Sequence, residues 1–198
     1  MSLYELVKAL LRPMTATLFD VHTIGAENVP ATGPLVVAAN HRSYLDPPIL
    51  GTWFPRTLHY MAKRELFSMP ILGPILRKVH AFPVDRDRAD LGAIRYALET
   101  LRAGGCVGIF PEGRRNADGA AKARGGAVMI AVTAKCPIVP VALVRTDFAM
   151  RRFRGAHVEV RIGVPLRFQG TERKATKAEI EQWTLELSSA IERLSTDQ

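Results

Sequence analysis

Seven short apolar runs, parted by stretches with helical spacing, constrain this chain more than any other feature of its sequence. The runs are Val21–Ile24, Leu35–Ala39, Leu58–Met61, Ala81–Val84, Cys106–Phe110, Ile138–Val144 and Val158–Ile162. Helical spacing is read over Pro47–Trp53, Glu65–Lys78, Ala89–Ala103, Gly125–Ala134 and Lys177–Leu194. Parallel strands cannot be joined by a tight turn and need a crossover of helix length, so this alternation predicts an α/β sheet with helices on both faces. Pro70 and Pro74 should break Glu65–Lys78 into short pieces. With 198 residues and no repeat, linker or low-complexity run, the chain suits one domain.

Ahead of the first run, Leu3, Leu6, Val7, Leu10 and Met14 recur at helical spacing, with Glu5, Lys8 and Arg12 between them. Pro13 is expected to kink or end this helix. Two readings fit residues 1–19: a helix that covers the core, or one lying in the headgroup region of a membrane. Residues 20–198 form the α/β domain in either case. The N-terminus lacks a basic region and carries Glu5 early, unlike a secretory signal. No stretch reaches the roughly 18 apolar residues that a spanning helix needs. Any membrane contact is therefore expected to be peripheral, on the cytoplasmic side. Cys106 and Cys136 lie in apolar runs without a CxxC pair and read as reduced core thiols.

The formal charge of +8 favours an anionic partner: nucleic acid, a phosphorylated substrate or an anionic membrane. No zinc-ligand spacing, aromatic RNA-binding block or helix-turn-helix accompanies the arginines, so no nucleic-acid partner is expected. Arginines recur at Arg145, Arg151, Arg152, Arg154 and Arg161, a second candidate membrane contact or simply a solvated basic face.

Two blocks carry chemistry. The run ending at Ala39 passes into Asn40-His41-Arg42-Ser43-Tyr44-Leu45-Asp46-Pro47-Pro48. A histidine at the carboxyl end of a strand sits where α/β sheets bind substrates, and imidazole accepts a hydroxyl proton near neutral pH. An aspartate on its other ring nitrogen would fix the tautomer and balance the imidazolium. Asp46, five residues on, is off the same helical face, so the pair requires a turn between them. The alternative for Asp46 is a pure N-cap of a helix opened by Pro47, and for His41, read in isolation, a hydrogen-bonded structural histidine. Ser43 offers a rival, a serine nucleophile activated by the histidine. The remaining histidines, His22, His59, His80 and His157, read as structural or solvated, and no metal is expected.

The second block is Phe110-Pro111-Glu112-Gly113-Arg114-Arg115, again at a strand end. Gly113 permits a tight turn, and arginine forks match phosphate oxygens in pairs, so the block can cradle a phosphate. An ordinary turn with solvated arginines is the plainer reading. Asp85-Arg86, closing Ala81–Val84, reads by itself as a local ion pair, and Pro137 to Leu143 as a buried strand.

Taken in order, these blocks resemble the glycerolipid acyltransferase family typified by 1-acylglycerol-3-phosphate acyltransferases, over about residues 20–145. His41 and Asp46 fall on that family's Asn-His-four residues-Asp motif, and Ala81 to Arg86 is similar to its second motif. Phe110 to Arg115 is similar to its Phe-Pro-Glu-Gly-Thr-Arg motif, and Ile138 to Val141 to its proline-containing fourth. The resemblance implies a glycerol-3-phosphate acyltransferase-like fold with His41 as base and Asp46 as its orienting partner. It also implies an acceptor phosphate held by Lys63, Arg86 and Arg115, with Arg114 an additional ligand and Glu112 and Gly113 shaping the pocket. The implied reaction moves a fatty acyl group from acyl-CoA or acyl-carrier-protein to 1-acylglycerol-3-phosphate, giving phosphatidic acid without cofactor or metal. The lysophospholipid, the acyl thioester and an anionic membrane surface are the implied partners. Two departures stand out: Arg114 replaces the motif's threonine, and His80-Ala81 replaces the glycine that opens the second motif. A sibling acceptor, such as glycerol-3-phosphate or another lysolipid, and a catalytically silent lipid-binding protein are the alternatives.

Overall fold

The computed structural model describes residues 3–85, 90–116, 122–152, 155–168 and 175–196, and only the backbone of Met150, Arg151 and Arg152. Seven strands are present: β1 (His22–Ile24), β2 (Leu35–Ala39), β3 (Leu58–Lys63), β4 (Ala81–Val84), β5 (Cys106–Ile109), β6 (Ile138–Val144) and β7 (Glu159–Ile162). They form one sheet in the order β1-β7-β6-β2-β5-β3-β4. The five strands from β6 to β4 are mutually parallel, while β7 pairs antiparallel with β6 and parallel with β1. The α/β sheet expected from the alternating runs is therefore present, mostly parallel and mixed only through β7.

The helices are α1 (Leu3–Phe19), α2 (Asp46–Trp53), α3 (Leu72–Lys78), α4 (Leu91–Arg102), α5 (Gly126–Thr133), α6 (Thr146–Arg152) and α7 (Lys177–Thr196). Strand alternation splits the core in two. Leu35, Val37 and Ala39 of β2 point to the face that packs Phe19, Ile49, Leu50, Phe54 and Phe67. Val36 and Ala38 point to the other face, against Ala93, Ala97 and Leu101 of α4, with Ala127, Ile130 and Leu187. Every side chain of β2 is fully buried, which is why it reads as a continuous apolar run rather than an alternating one. Burying each such Leu or Val stabilises by about 1.5–3 kcal/mol, so a charge at Val37 would break the sheet at its centre.

Some sequence expectations are corrected and one is met. α1 runs through Pro13 instead of ending there. It is docked on both sides of the proline: Tyr4 Oη donates to Gly51 O and Lys8 Nζ to Phe54 O, while Thr15 Oγ1 accepts from Trp53 Nε1. Contacts to α2 thus hold a helix that has lost one internal hydrogen bond. Glu65–Lys78 does divide: a 3-10 turn over Arg64–Ser68 precedes α3, and Pro74 sits in the first turn of α3, where its missing N–H is not needed. α6 was not expected; it begins at Thr146, separated from the end of β6 by a single residue. Pro140 stands inside β6 without harm to the central pairing. Its carbonyl accepts from Gly163 N, so its missing donor lies on the β7 side and the ladder to β2 is intact.

Among the described residues, no helix is long and apolar enough to cross a membrane.

Candidate active site

Because β6, β2, β5, β3 and β4 are parallel, their carboxyl ends share one edge of the sheet. That edge carries the loops of both sequence blocks, and β2 and β5 are immediate neighbours there. Asn40 extends the pairing of β2 one step past its last residue. Its Nδ2 donates to Leu143 O at 3.0 Å, and its Oδ1 accepts from Leu143 N at 2.7 Å, as a peptide group would. The chain is therefore held rigid up to the histidine.

His41 Nδ1 lies 2.9 Å from Asp46 Oδ2, with both residues buried. A carboxylate only accepts, so Nδ1 is the donor and, in the neutral ring, Nε2 is the bare nitrogen. The same Asp46 oxygen accepts from Arg42 N at 2.6 Å and Ser43 N at 2.7 Å. Three N–H donors converge on it and compensate the burial of its charge, while Oδ1 has no hydrogen-bond partner among the described residues. The turn that the five-residue spacing demands is closed by Asp46 N donating to Ser43 O at 3.3 Å. Asp46 is not the cap of α2. Leu45 holds that position with no side-chain cap, because the Asp46 carboxylate turns back toward His41. Ser43 Oγ accepts from Leu45 N at 3.2 Å, which makes it part of the same turn.

The β5 block grips His41 from the other side. The Phe110 ring stacks on the imidazole with centroids 4.4 Å apart. Glu112 Oε2 accepts from His41 N at 2.9 Å, and Asn116 N donates to His41 O at 2.6 Å. Between them Gly113 takes φ +70°, a left-handed conformation that glycine adopts without steric cost, while its N–H donates to Phe110 O. Burial raises the Glu112 carboxyl above its ordinary range, and hydrogen bonds from Asn116 and the His41 amide partly offset this.

Arg115 stacks over the Tyr44 ring, 3.5 Å from its centroid, with Nη2 donating to Tyr44 Oη at 2.7 Å. This ties the two blocks together. Arg114 is exposed beside it. Lys63 ends β3, two strands from β2 on the same edge, and pairs with Glu65 at 3.2 Å. Arg86 lies outside the described residues, as does Arg154; Arg151 and Arg152 are described in backbone only. Arg161 is not part of a solvated basic face: its Nε donates to Glu159 Oε2 and its Nη1 to Leu194 O.

The geometry thus brings His41, Asp46, Glu112, Gly113 and Arg115 together, with Lys63 on the same edge. It adds three residues not singled out from the sequence. Asn40 was visible beside the histidine; Phe110 was quoted only as part of a motif; Asn116 had no signal, since its contact is made by backbone across two loops.

Comparison with known proteins gives a consistent result. A family model described as Acyltransferase matches residues 20–144. The chain is 33% identical over 193 residues to the 1-acyl-sn-glycerol-3-phosphate acyltransferase of Bacillus subtilis (strain 168), covering 97% of this chain and 96% of that protein. It is 35% identical over 108 residues to the Streptococcus pneumoniae enzyme of the same name, spanning only 40% of that protein. The crystal structure of the 1-acyl-sn-glycerophosphate acyltransferase from Thermotoga maritima superimposes with a TM-score of 0.74 at 26% identity, over 98% of this chain and 80% of that one.

Proposed function

The chain belongs to the glycerolipid acyltransferase family and is an acyltransferase, and from that premise we propose that it acylates the free hydroxyl of 1-acylglycerol-3-phosphate to give phosphatidic acid. The observation that carries the reading is the buried hydrogen bond from His41 Nδ1 to Asp46 Oδ2, which leaves Nε2 as the base. In the proposed step Nε2 takes the proton of the acceptor hydroxyl as its oxygen attacks the thioester carbonyl of acyl-CoA or acyl-carrier-protein. Asp46 stabilises the imidazolium as it forms. Collapse of the tetrahedral intermediate expels the thiolate, which recovers the proton from His41. The backbone amides of His41, Arg42 and Ser43 are already engaged, so a donor to the oxyanion must come from elsewhere in the pocket.

Arg115, Lys63, Arg86 and Arg114 are the proposed phosphate ligands. Glu112 acts through the His41 amide and, with Gly113, shapes the loop. Names of the relatives support the acceptor, and both thioesters remain eligible donors. Action at an anionic membrane surface belongs to the same proposal, supported by the exposure of Leu3, Leu6, Leu10 and Met14 on α1.

The test mixes purified protein with detergent-dispersed 1-acylglycerol-3-phosphate and long-chain acyl-CoA, then follows thiol release and phosphatidic acid together. Wild type is expected to make both, and folded His41→Ala to be slower by about 10²–10⁴-fold, the usual contribution of a general base. Thiol without phosphatidic acid would indicate another acceptor. Equal rates in the two proteins would remove His41 from the chemistry.

A further inference from the structure

Away from the dyad, α1 and the sheet meet at three residues that the acyl-transfer reading does not use: Asp20, His22 and His157. Their ligand-type atoms all lie within 4.8 Å of one another. Asp20 Oδ1 is 2.9 Å from His22 Nε2, and Asp20 Oδ2 is 2.8 Å from His157 Nδ1. All three side chains are about half exposed, so small rotations can bring their donor atoms onto a common ion. Neither histidine stood out in the sequence, where 134 residues separate them. Pairing of β1 with β7 sets His22 opposite Glu159, two residues beyond His157.

We propose that Asp20, His22 and His157 bind a divalent transition metal of the zinc class. Two imidazoles and one carboxylate suit zinc and its neighbours, whereas calcium and magnesium prefer oxygen ligands throughout. A second observation is independent of the three ligands. His157 Nε2 lies 3.3 Å from Glu159 Oε1, and Glu159 is itself held by Arg161. With a metal on Nδ1, the ring proton must sit on Nε2, where that carboxylate accepts it. A metal-binding histidine is usually oriented through its other nitrogen in this way. The ion takes the place of the protons now shared with Asp20, each neutral ring carrying its proton on the other nitrogen, and completes its coordination with water. β6 and β7 separate β1 from β2, so this site stands about 14 Å from the dyad at ordinary strand spacing. Its effect is to tie the end of α1 to the approach of β7.

The experiment titrates metal-stripped, untagged full-length protein with ZnCl2 by calorimetry. Wild type is expected to bind one ion per chain. His22→Asn or His157→Asn should each weaken binding at least tenfold, and the double substitution should abolish saturable binding. Glu159→Gln should weaken it about tenfold. Zinc should raise the melting temperature of wild type and leave the double variant unmoved, with circular dichroism of the metal-free proteins showing matching folds. A readout that needs no variant is the ring-proton NMR spectrum of wild type, in which His22 and His157 should shift on zinc addition while His59 and His80 stay. Absence of saturable binding, an unshifted His22 and His157, or undiminished binding by the folded double variant overturns the proposal.

Discussion

Glu112 shows how a residue quoted for one role acquires another once its neighbours are known. In the sequence it belongs to a block read as a candidate phosphate cradle; in the structure its carboxylate accepts from the His41 amide and from Asn116 Nδ2. Burial raises its carboxyl above the ordinary 4.5, and the nearby Asp46 charge adds to this. A folded value above the unfolded one means that the folded state holds the proton more tightly. The associated stability is therefore present below pH 4.5 and is lost as the pH rises through the folded value. Glu112→Gln keeps an acceptor for the His41 amide and removes the buried charge. At neutral pH it should melt at or above the wild-type temperature, with the difference closing on acidification, as scans across pH would show. Glu112→Ala, lacking that acceptor, should be less active than Glu112→Gln by up to about tenfold, the worth of one net hydrogen bond. The dyad was legible because its two residues are close in sequence; Asn116 was not, because its contact with His41 is a backbone amide reaching across two loops.

Elements are positioned by similar local contacts. Asp90 caps α4 by accepting from Ala93 N, and it also accepts from Asp85 N and Arg64 Nη2. One carboxylate thus joins the start of α4 to the ends of β3 and β4. The backbone donors at Asp85 and Ala93, followed by Arg64, pull its pKa from the ordinary 3.8 to about 2. A depressed folded value confers stability that is present above 3.8 and lost as pH falls toward about 2. The melting-temperature gap between wild type and Asp90→Asn should therefore shrink across that acid window and be constant above it. A gap that ignores pH would show that the charge contributes nothing. β2 and β6 were readable at full length because they are buried on both faces and apolar throughout. α6 was not, since Thr146–Arg152 carries no apolar period that separates it from a basic loop.

At the scale of the whole molecule, α1 matters most. Its apolar stripe is not what docks it: Tyr4, Thr15 and Phe19 are buried, whereas Leu3, Leu6, Leu10 and Met14 are exposed, Leu10 to 65%. Arg12 lies over the Trp53 ring, 5.1 Å from its centroid, which adds a cation–π contact to the docking. The same face of the sheet carries exposed Met69, Ile71 and Ile75 beside α3. An apolar surface on a chain of net charge +8 fits an anionic bilayer. Joint Leu10→Ser and Met14→Ser substitution should weaken sedimentation with anionic vesicles by about tenfold or more while leaving the melting temperature in place. Unchanged vesicle binding would assign the stripe another role.

By itself the sequence determined the α/β class and most strand positions, and through its resemblance to a family motif it pointed to the His41–Asp46 pair, since burial on both faces and short-range motifs leave their mark on consecutive residues. Tertiary structure alone decided which face of α1 docks, how Glu112 and Asn116 grip His41, and that His22 meets His157. Each of those depends on strand order, which joins residues far apart along the chain and leaves no local periodicity to read.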